Sequence, residues 1–324
     1  MAVMRPLAFH GSREKGPFFE GWYFKNVSIN GTQRWSIIPG VYIGRNPEDS
    51  HSFIQFMNGA SGKSWYIEFP LSDFHADNEK FHVVIGKNEF FQDRMFLSVE
   101  REDFSAKGKL EFIDTKLWPV KLLSPGIMGW FAWVPGMECY HGVVSLDHAI
   151  QGTLAINKKE VDFSGGRGYI EKDWGKAMPK AWIWAQTNHF NKVGTSLTLS
   201  IAHIPFGPLS FNGFIAGLLL EGELYKFATY TGAKIETLIV DEQQIKISMK
   251  DRNKRLEINA LRGKTSNLQA PTISQMDRRI TETLSAEITA VLSIRQGSRW
   301  HKVFEDTGKH AGLEVVGKLD LEKF

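Results

Sequence analysis

The chain has 324 residues, 42% of them hydrophobic and 23% charged, with a formal charge of +3. At roughly 100–200 residues per domain this length holds about two domains, each large enough for its own core. The small charge, with no basic cluster interleaved with aromatics, excludes nucleic acid as the partner. A single cysteine, Cys139, rules out an internal disulfide framework and fits a reducing compartment. The opening residues lack an apolar signal core and no run of ~18 apolar residues follows. We therefore expect a soluble, cytoplasmic protein without an obligate protein partner, for which a peripheral membrane contact stays open.

Alternating patterns rich in aromatic and β-branched residues predict strands, in chain order, at 18–29, 34–43, 63–70, 81–85, 94–101, 140–147 and 153–164. They continue at 180–190, 195–204, 211–220, 235–240, 244–250, 254–261 and 286–295. Turn signals separate them, among them Asn30-Gly31, Asn58-Gly59, Asn157-Lys158 and Asp251-Arg252-Asn253. Only 272–284 has a helical reading. Many short strands with frequent turns make an all-β protein of antiparallel sandwiches or barrels.

The sequence also echoes itself. Gly21-Trp22-Tyr23-Phe24-Lys25-Asn26 resembles Ile183-Trp184-Ala185-Gln186-Thr187-Asn188, aligning Trp22 with Trp184 and Asn26 with Asn188. Phe53-Ile54 then echoes Phe214-Ile215, and Lys109-Leu110-Glu111-Phe112 echoes Arg255-Leu256-Glu257-Ile258. Chance could produce any one match among β-rich segments; their collinear order predicts an internal duplication. We expect domains at 1–167 and 168–324, the second beginning with Gly168-Tyr169-Ile170-Glu171-Lys172-Asp173-Trp174-Gly175. Domain junctions favour pockets. Beyond this junction Trp182, Trp184, Gln186 and Asn188 fall on one face of a strand, an aromatic wall ending in two amides.

Phe18-Phe19-Glu20-Gly21-Trp22-Tyr23-Phe24-Lys25 resembles the opening signature of tocopherol cyclases. So does the junction, Tyr169-x-Glu171-Lys172-x-Trp174-Gly175, with Pro179-Lys180-x-Trp182-x-Trp184-x-Gln186-x-Asn188 after it. Leu256-Glu257-x-x-Ala260 and Leu268-x-Ala270-Pro271-Thr272-Ile273 match as well, whereas 27–135 is only loosely similar. A more distant likeness is to carotenoid hydratases. The resemblance implies two lipocalin-like antiparallel β-barrels and a hydrophobic ligand such as a prenylquinol or carotenoid. It further implies a cofactor-independent enzyme that protonates an alkene and traps the cation with a phenol oxygen or with water.

That chemistry needs a positioned acid, little water and aromatic faces for the cation. The resemblance makes Glu171 the acid, with Asp173 second because the plant cyclases carry Asn there; Lys172 alternates to the opposite side, where it would pair with an outside carboxylate. Trp174, Trp182 and Trp184 would supply the π surface, with Gln186 and Asn188 orienting ring hydroxyls. Each residue also has a structural reading. Glu171 and Lys172 can be an ion pair, Trp182 and Trp184 core, and Glu20, beside Trp22, a partner for Lys25 or an arginine. Glu138, His141 and His148 form a polar group ahead of the junction, with His141 as a candidate base. No metal, nucleotide or serine-nucleophile motif has the required spacing; Gly59-Ala60-Ser61-Gly62-Lys63-Ser64 is too short between its glycines for a phosphate loop. The alternative function is a carrier that uses the same barrel to bind an apolar isoprenoid without turnover.

Overall fold

The computed structural model describes residues 2–206 and 209–319. Among these residues there is no α-helix, and no helix long and apolar enough to cross a membrane. The first half contains β1 (Phe18–Val27), β2 (Arg34–Ile43), β3 (His51–Asn58), β4 (Lys63–Pro70), β5 (Phe74–Ala76), β6 (His82–Ile85) and β7 (Asn88–Phe91). It continues with β8 (Arg94–Glu100), β9 (Ser105–Ile113), the small hairpin β10 (Val120–Lys121) and β11 (Ser124–Pro125), then β12 (Cys139–Ile156), β13 (Lys159–Asp162) and β14 (Arg167–Gly175). The second half contains β15 (Trp182–Thr187), β16 (Ser196–Phe206), β17 (Leu209–Leu220), β18 (Glu223–Ala228) and β19 (Lys234–Val240). After these come β20 (Gln244–Lys250), β21 (Lys254–Leu261), β22 (Thr265–Ala270), β23 (Arg278–Gln296) and β24 (Arg299–Val316).

The first sheet runs β4-β3-β2-β1-β14-β12-β9-β8-β7-β6-β5, and the second runs β18-β17-β16-β15-β24-β23-β21-β20-β19. The orders correspond strand for strand from β4/β18 to β7/β19, which is the topology an internal duplication leaves. Each sheet curls around a core of its own. In the first, Ile67 of β4 and Val83 of β6, near opposite ends of the strand order, join the cluster of Trp22, Phe24, Phe56 and Phe90. In the second, Phe227 of β18 and Leu238 of β19 close on Ile183, Leu199 and Ile288 in the same way. Such wrapping buries one face of every strand, which is why alternation was readable.

Three expectations change. The helical reading of 272–284 gives way to strand from 278, continuous with the expected 286–295: Ile280, Leu284, Ala286, Ile288 and Ala290 are buried at period two, and Thr272 turns the chain beforehand by accepting the Ser274 and Gln275 amides. Second, Trp22 joins the first core, whereas Ile183 and Ala185, not Trp184, join the second. The Trp22-to-Trp184 alignment is thus one residue out of phase with the sheet faces. Third, the chain divides into compact units after Met178, not after 167, and Ser266–Ile280 belongs with the first unit. The cause is β14, which pairs with β1 from Val27↔Arg167 to Phe19↔Gly175 and with β12 from Ala149↔Arg167 to Cys139↔Gly175. The expected start of the second domain is a central strand of the first sheet.

Candidate active site

A strand between two others has two faces to fill, and β14 fills both with ionisable groups. Tyr169, Glu171 and Asp173 alternate onto the face away from the core, because Ile170 between them is a core residue. Register sets Val143 and Tyr23 beside Glu171, and His141 and Gly21 beside Asp173. The Tyr169 hydroxyl donates to Glu171 Oε2 at 2.5 Å. His141 Nε2 stands 3.6 Å from the same oxygen, and its Nδ1 is 2.8 Å from Asp173 Oδ1. Tyr169 is fully buried and Glu171 only 4% exposed. An acid, an imidazole and a second carboxylate thus form one row with a phenol at its end. The expected group of Glu138, His141 and His148 is not formed: His141 joins this row, while His148 is bonded to Ser145 at 2.9 Å. Burial, then the Arg167 cation, pushes the His148 pKa down to about 3.

An aromatic cluster shares the sheet face of the row. Phe19, Tyr42, Phe53 and Met276 form a buried cluster with Cys139, Met178, Ile38 and Tyr66 packed against it. Phe19 pairs with Gly175 and Tyr42, so the cluster shares the face of Asp173. Gly40 is required there, since a Cβ would lie 2.4 Å from the Phe53 ring. The buried Tyr42 hydroxyl has no hydrogen-bond partner. Burial, then the Asp173 and Glu138 charges, pushes the Cys139 thiol up, which makes it a poor nucleophile. Glu138 is half-buried, and its charge acts on Arg278.

Lys172 and Trp174 point the other way. The Lys172 ammonium is fully buried, donates to the Ala8 carbonyl at 2.7 Å, and pairs with Glu20, which is also fully buried. Glu20 further accepts the His10 amide at 2.9 Å. The ammonium lies 5.0 Å from the Trp22 ring centroid and 4.8 Å from that of Trp174, and the His10 ring stacks on Trp174 at 4.3 Å. Burial alone would raise the Glu20 pKa, yet Lys172 and His10 hold it below the usual carboxylate range; burial lowers that of Lys172 despite Glu20. A Glu171–Lys172 pair is therefore not formed, because adjacent strand residues face opposite ways. Glu20 pairs with Lys172 rather than with Lys25, and Trp174 is on the opposite face from Glu171. Sequence reasoning missed Tyr23 and His10. Tyr23 shares its strand parity with Lys25, whereas nothing in the irregular residues around His10 marks it.

In the second unit Trp182, Trp184 and Gln186 occupy the face of β15 turned from the core that holds Ile183 and Ala185. All three are buried, as is Asn188 just past the strand. Trp182 Nε1 donates to Glu314 Oε2 at 2.6 Å, and Glu314 pairs in register with Trp184. Thr198 and Gly312 flank Gln186 on the neighbouring strands. Neither polar atom of the Gln186 amide has a hydrogen-bond partner.

The outward row in the first unit can move a proton between Glu171 and His141, with Asp173 fixing the imidazole. His141, Glu171 and Asp173 also bring three ligand atoms within 4.8 Å of one another, a set able to hold a divalent cation.

Residues 116–317 match the family model described as tocopherol cyclase-like. A probable chloroplastic tocopherol cyclase of Oryza sativa subsp. japonica is 24% identical over 58% of this chain and 42% of its own length. The chloroplastic tocopherol cyclase of Zea mays is 25% identical over 95% of this chain and 77% of that protein. Among solved structures, CghA with Sch210972 superposes with a TM-score of 0.55 at 11% identity, covering 93% of this chain and 89% of that one. Kievitone hydratase from Nectria haematococca gives 0.50 at 11% identity, over 96% and 93%. These structures share the fold, and the family match covers more than half the sequence. The chain belongs to the tocopherol cyclase-like family.

Proposed function

We propose that this protein protonates an alkene of a prenylated or polyene substrate and directs the cation to ring closure or hydration, with Glu171 as the acid. The observation that carries the reading is the row Tyr169–Glu171–Asp173 on one face of β14 with His141 of β12 beside it, its Glu171 end buried. A carrier of apolar ligands has no use for it. The proton of the Glu171 carboxyl goes to the less substituted alkene carbon, and the π electrons form the C–H bond and leave a tertiary cation. A phenol oxygen of the substrate, or water, closes on the cation. Its proton returns to the Glu171 carboxylate, directly or by way of His141 Nε2, which restores the acid. Asp173, on Nδ1, holds the imidazole so that Nε2 faces Glu171. The apolar surface of Phe19, Tyr42 and Phe53 keeps water from quenching the cation. Membership of the tocopherol cyclase-like family, and relatives named as cyclases, support the same reaction class.

The test uses a prenyl-substituted hydroquinone in D2O, with the product analysed by mass spectrometry. Ring closure should introduce one deuterium on carbon, and Glu171→Gln should lower turnover about 10²–10⁴-fold with the melting temperature kept. Asp173→Asn should be milder. Full activity of Glu171→Gln would overturn the assignment. Binding of quinols and carotenoids by the wild-type protein without turnover would make it a carrier.

A further inference from the structure

Seven of the fifteen large hydrophobic residues that are exposed among the described residues fall between 113 and 133. The segment is a built loop. Trp118, Ile127 and Met137 anchor it at 3%, 1% and 6% exposure. The Leu146 amide donates to the Lys116 carbonyl at 2.7 Å, and the Trp133 indole donates to the Leu122 carbonyl at 3.0 Å, tying the β10–β11 hairpin to the short 3-10 helix Gly129–Trp133. From this base the loop holds Leu122 at 66%, Leu123 at 84% and Trp130 at 50% exposure, with Leu117, Val120 and Trp133 beside them. Scattered exposed apolar residues are ordinary, but a contiguous set on one loop marks a contact.

The charge pattern selects the partner. Lys116 and Lys121 are exposed, and no acidic residue occurs from 115 to 137. Leucines at a hairpin tip, tryptophans beside them and lysines behind are the composition of a membrane-interface element. The charged rim of a protein–protein contact carries both signs, whereas residues 115–137 carry only lysines. We propose that the loop 117–133 docks this protein on the surface of a lipid bilayer, with Leu122 and Leu123 entering the acyl boundary, Trp130 and Trp133 at headgroup depth, and Lys116 and Lys121 against anionic headgroups. The inference does not depend on the reaction proposed above.

The experiment is flotation of the full chain with phosphatidylcholine vesicles and with vesicles in which a quarter of the lipid is phosphatidylglycerol. Wild type should float with both and more completely with the second. Leu122→Ser with Leu123→Ser removes two side chains already in solvent, so the melting temperature should hold while partitioning falls about tenfold or more. Lys116→Gln with Lys121→Gln should erase the preference for the anionic vesicles. Brominated phosphatidylcholine should quench tryptophan fluorescence in wild type and not in Trp130→Phe with Trp133→Phe. No flotation with either vesicle, or equal flotation of the leucine variant, would overturn the proposal. So would a concentration-dependent dimer, seen by light scattering and abolished by the leucine variant, with no flotation.

Discussion

Lys172→Met is the most exacting test of how the first unit is held together. The wild-type ammonium is fully buried and faces the Glu20 carboxylate, the Ala8 carbonyl and two indole rings. Methionine keeps the volume and loses the charge, leaving Glu20 buried with only His10 as a polar partner. Removing one member of a buried ion pair costs about 3–5 kcal/mol, because the other charge remains desolvated. At about 2–4 °C per kcal/mol for domains of this size, the melting temperature should fall by about 6–20 °C. Adding Glu20→Gln to Lys172→Met removes the stranded charge and should recover much of the loss, a coupling readable from a double-mutant cycle in urea. The pH dependence has a definite sign. The Glu20 pKa is lowered in the folded protein, so its contribution is complete above the unfolded value of about 4.3 and is lost as pH falls through the folded one. The gap between wild type and Lys172→Met should therefore shrink in acid. A neutral or stabilising Lys172→Met, or a double variant no better than the single, would refute the ion-pair account.

Two further predictions follow from single buried groups. His148, with its pKa near 3 in the folded protein, is neutral there while the unfolded chain binds a proton below about 6.5. Its contribution is therefore present above that value and lost as pH falls toward 3, and His148→Phe should flatten the acid limb of the stability profile measured by denaturant titration at stepped pH. Gln186 keeps an amide buried with neither atom bonded, a cost of about 1–3 kcal/mol; Gln186→Leu should raise the melting temperature by a few degrees while weakening quenching of tryptophan fluorescence by a prenylated hydroquinone, and a lowered melting temperature would contradict that reading.

The strands were legible where one face is buried in a core and the other is less so. Thus 94–101, 244–250 and 254–261 were recovered almost to the residue. The strand that matters most was read as the start of the second domain. On β14 both faces carry charge, so no apolar–polar alternation ties Glu171-Lys172-Asp173 to the strands before it. Its neutralising partner, Glu20, lies 152 positions away in sequence, beyond any local window. Period two did predict that Glu171 and Lys172 diverge, and it put Trp182, Trp184 and Gln186 on one face correctly. The duplication was visible through matched residue identities, which is also why its register slipped. Tryptophan was aligned with tryptophan, whereas sheet faces are conserved by burial, and one residue of shift exchanges core for surface. His10 was invisible because it sits in irregular chain, yet it touches both Glu20 and Trp174.

The two faces of β14 divide the labour of the candidate site. On the inner face, Lys172, Glu20 and His10 fix the strand to the N-terminal segment through Ala8 and to the aromatic core through Trp22. On the outer face, Glu171 and Asp173 are held to hydrogen-bond precision by strands whose positions the inner pair sets. On the proposed reading Glu171 protonates carbon and tolerates little misplacement, since a shift of about 1 Å can cost about 10²-fold in rate. A polar inner pair is a costly way to fill a core, but it specifies one register of β14 against β1, and a slip would send Glu171 into the core and Lys172 outward. Substitutions on the outer face should therefore change turnover at constant stability. Those on the inner face should lower stability first and turnover only as the register loosens.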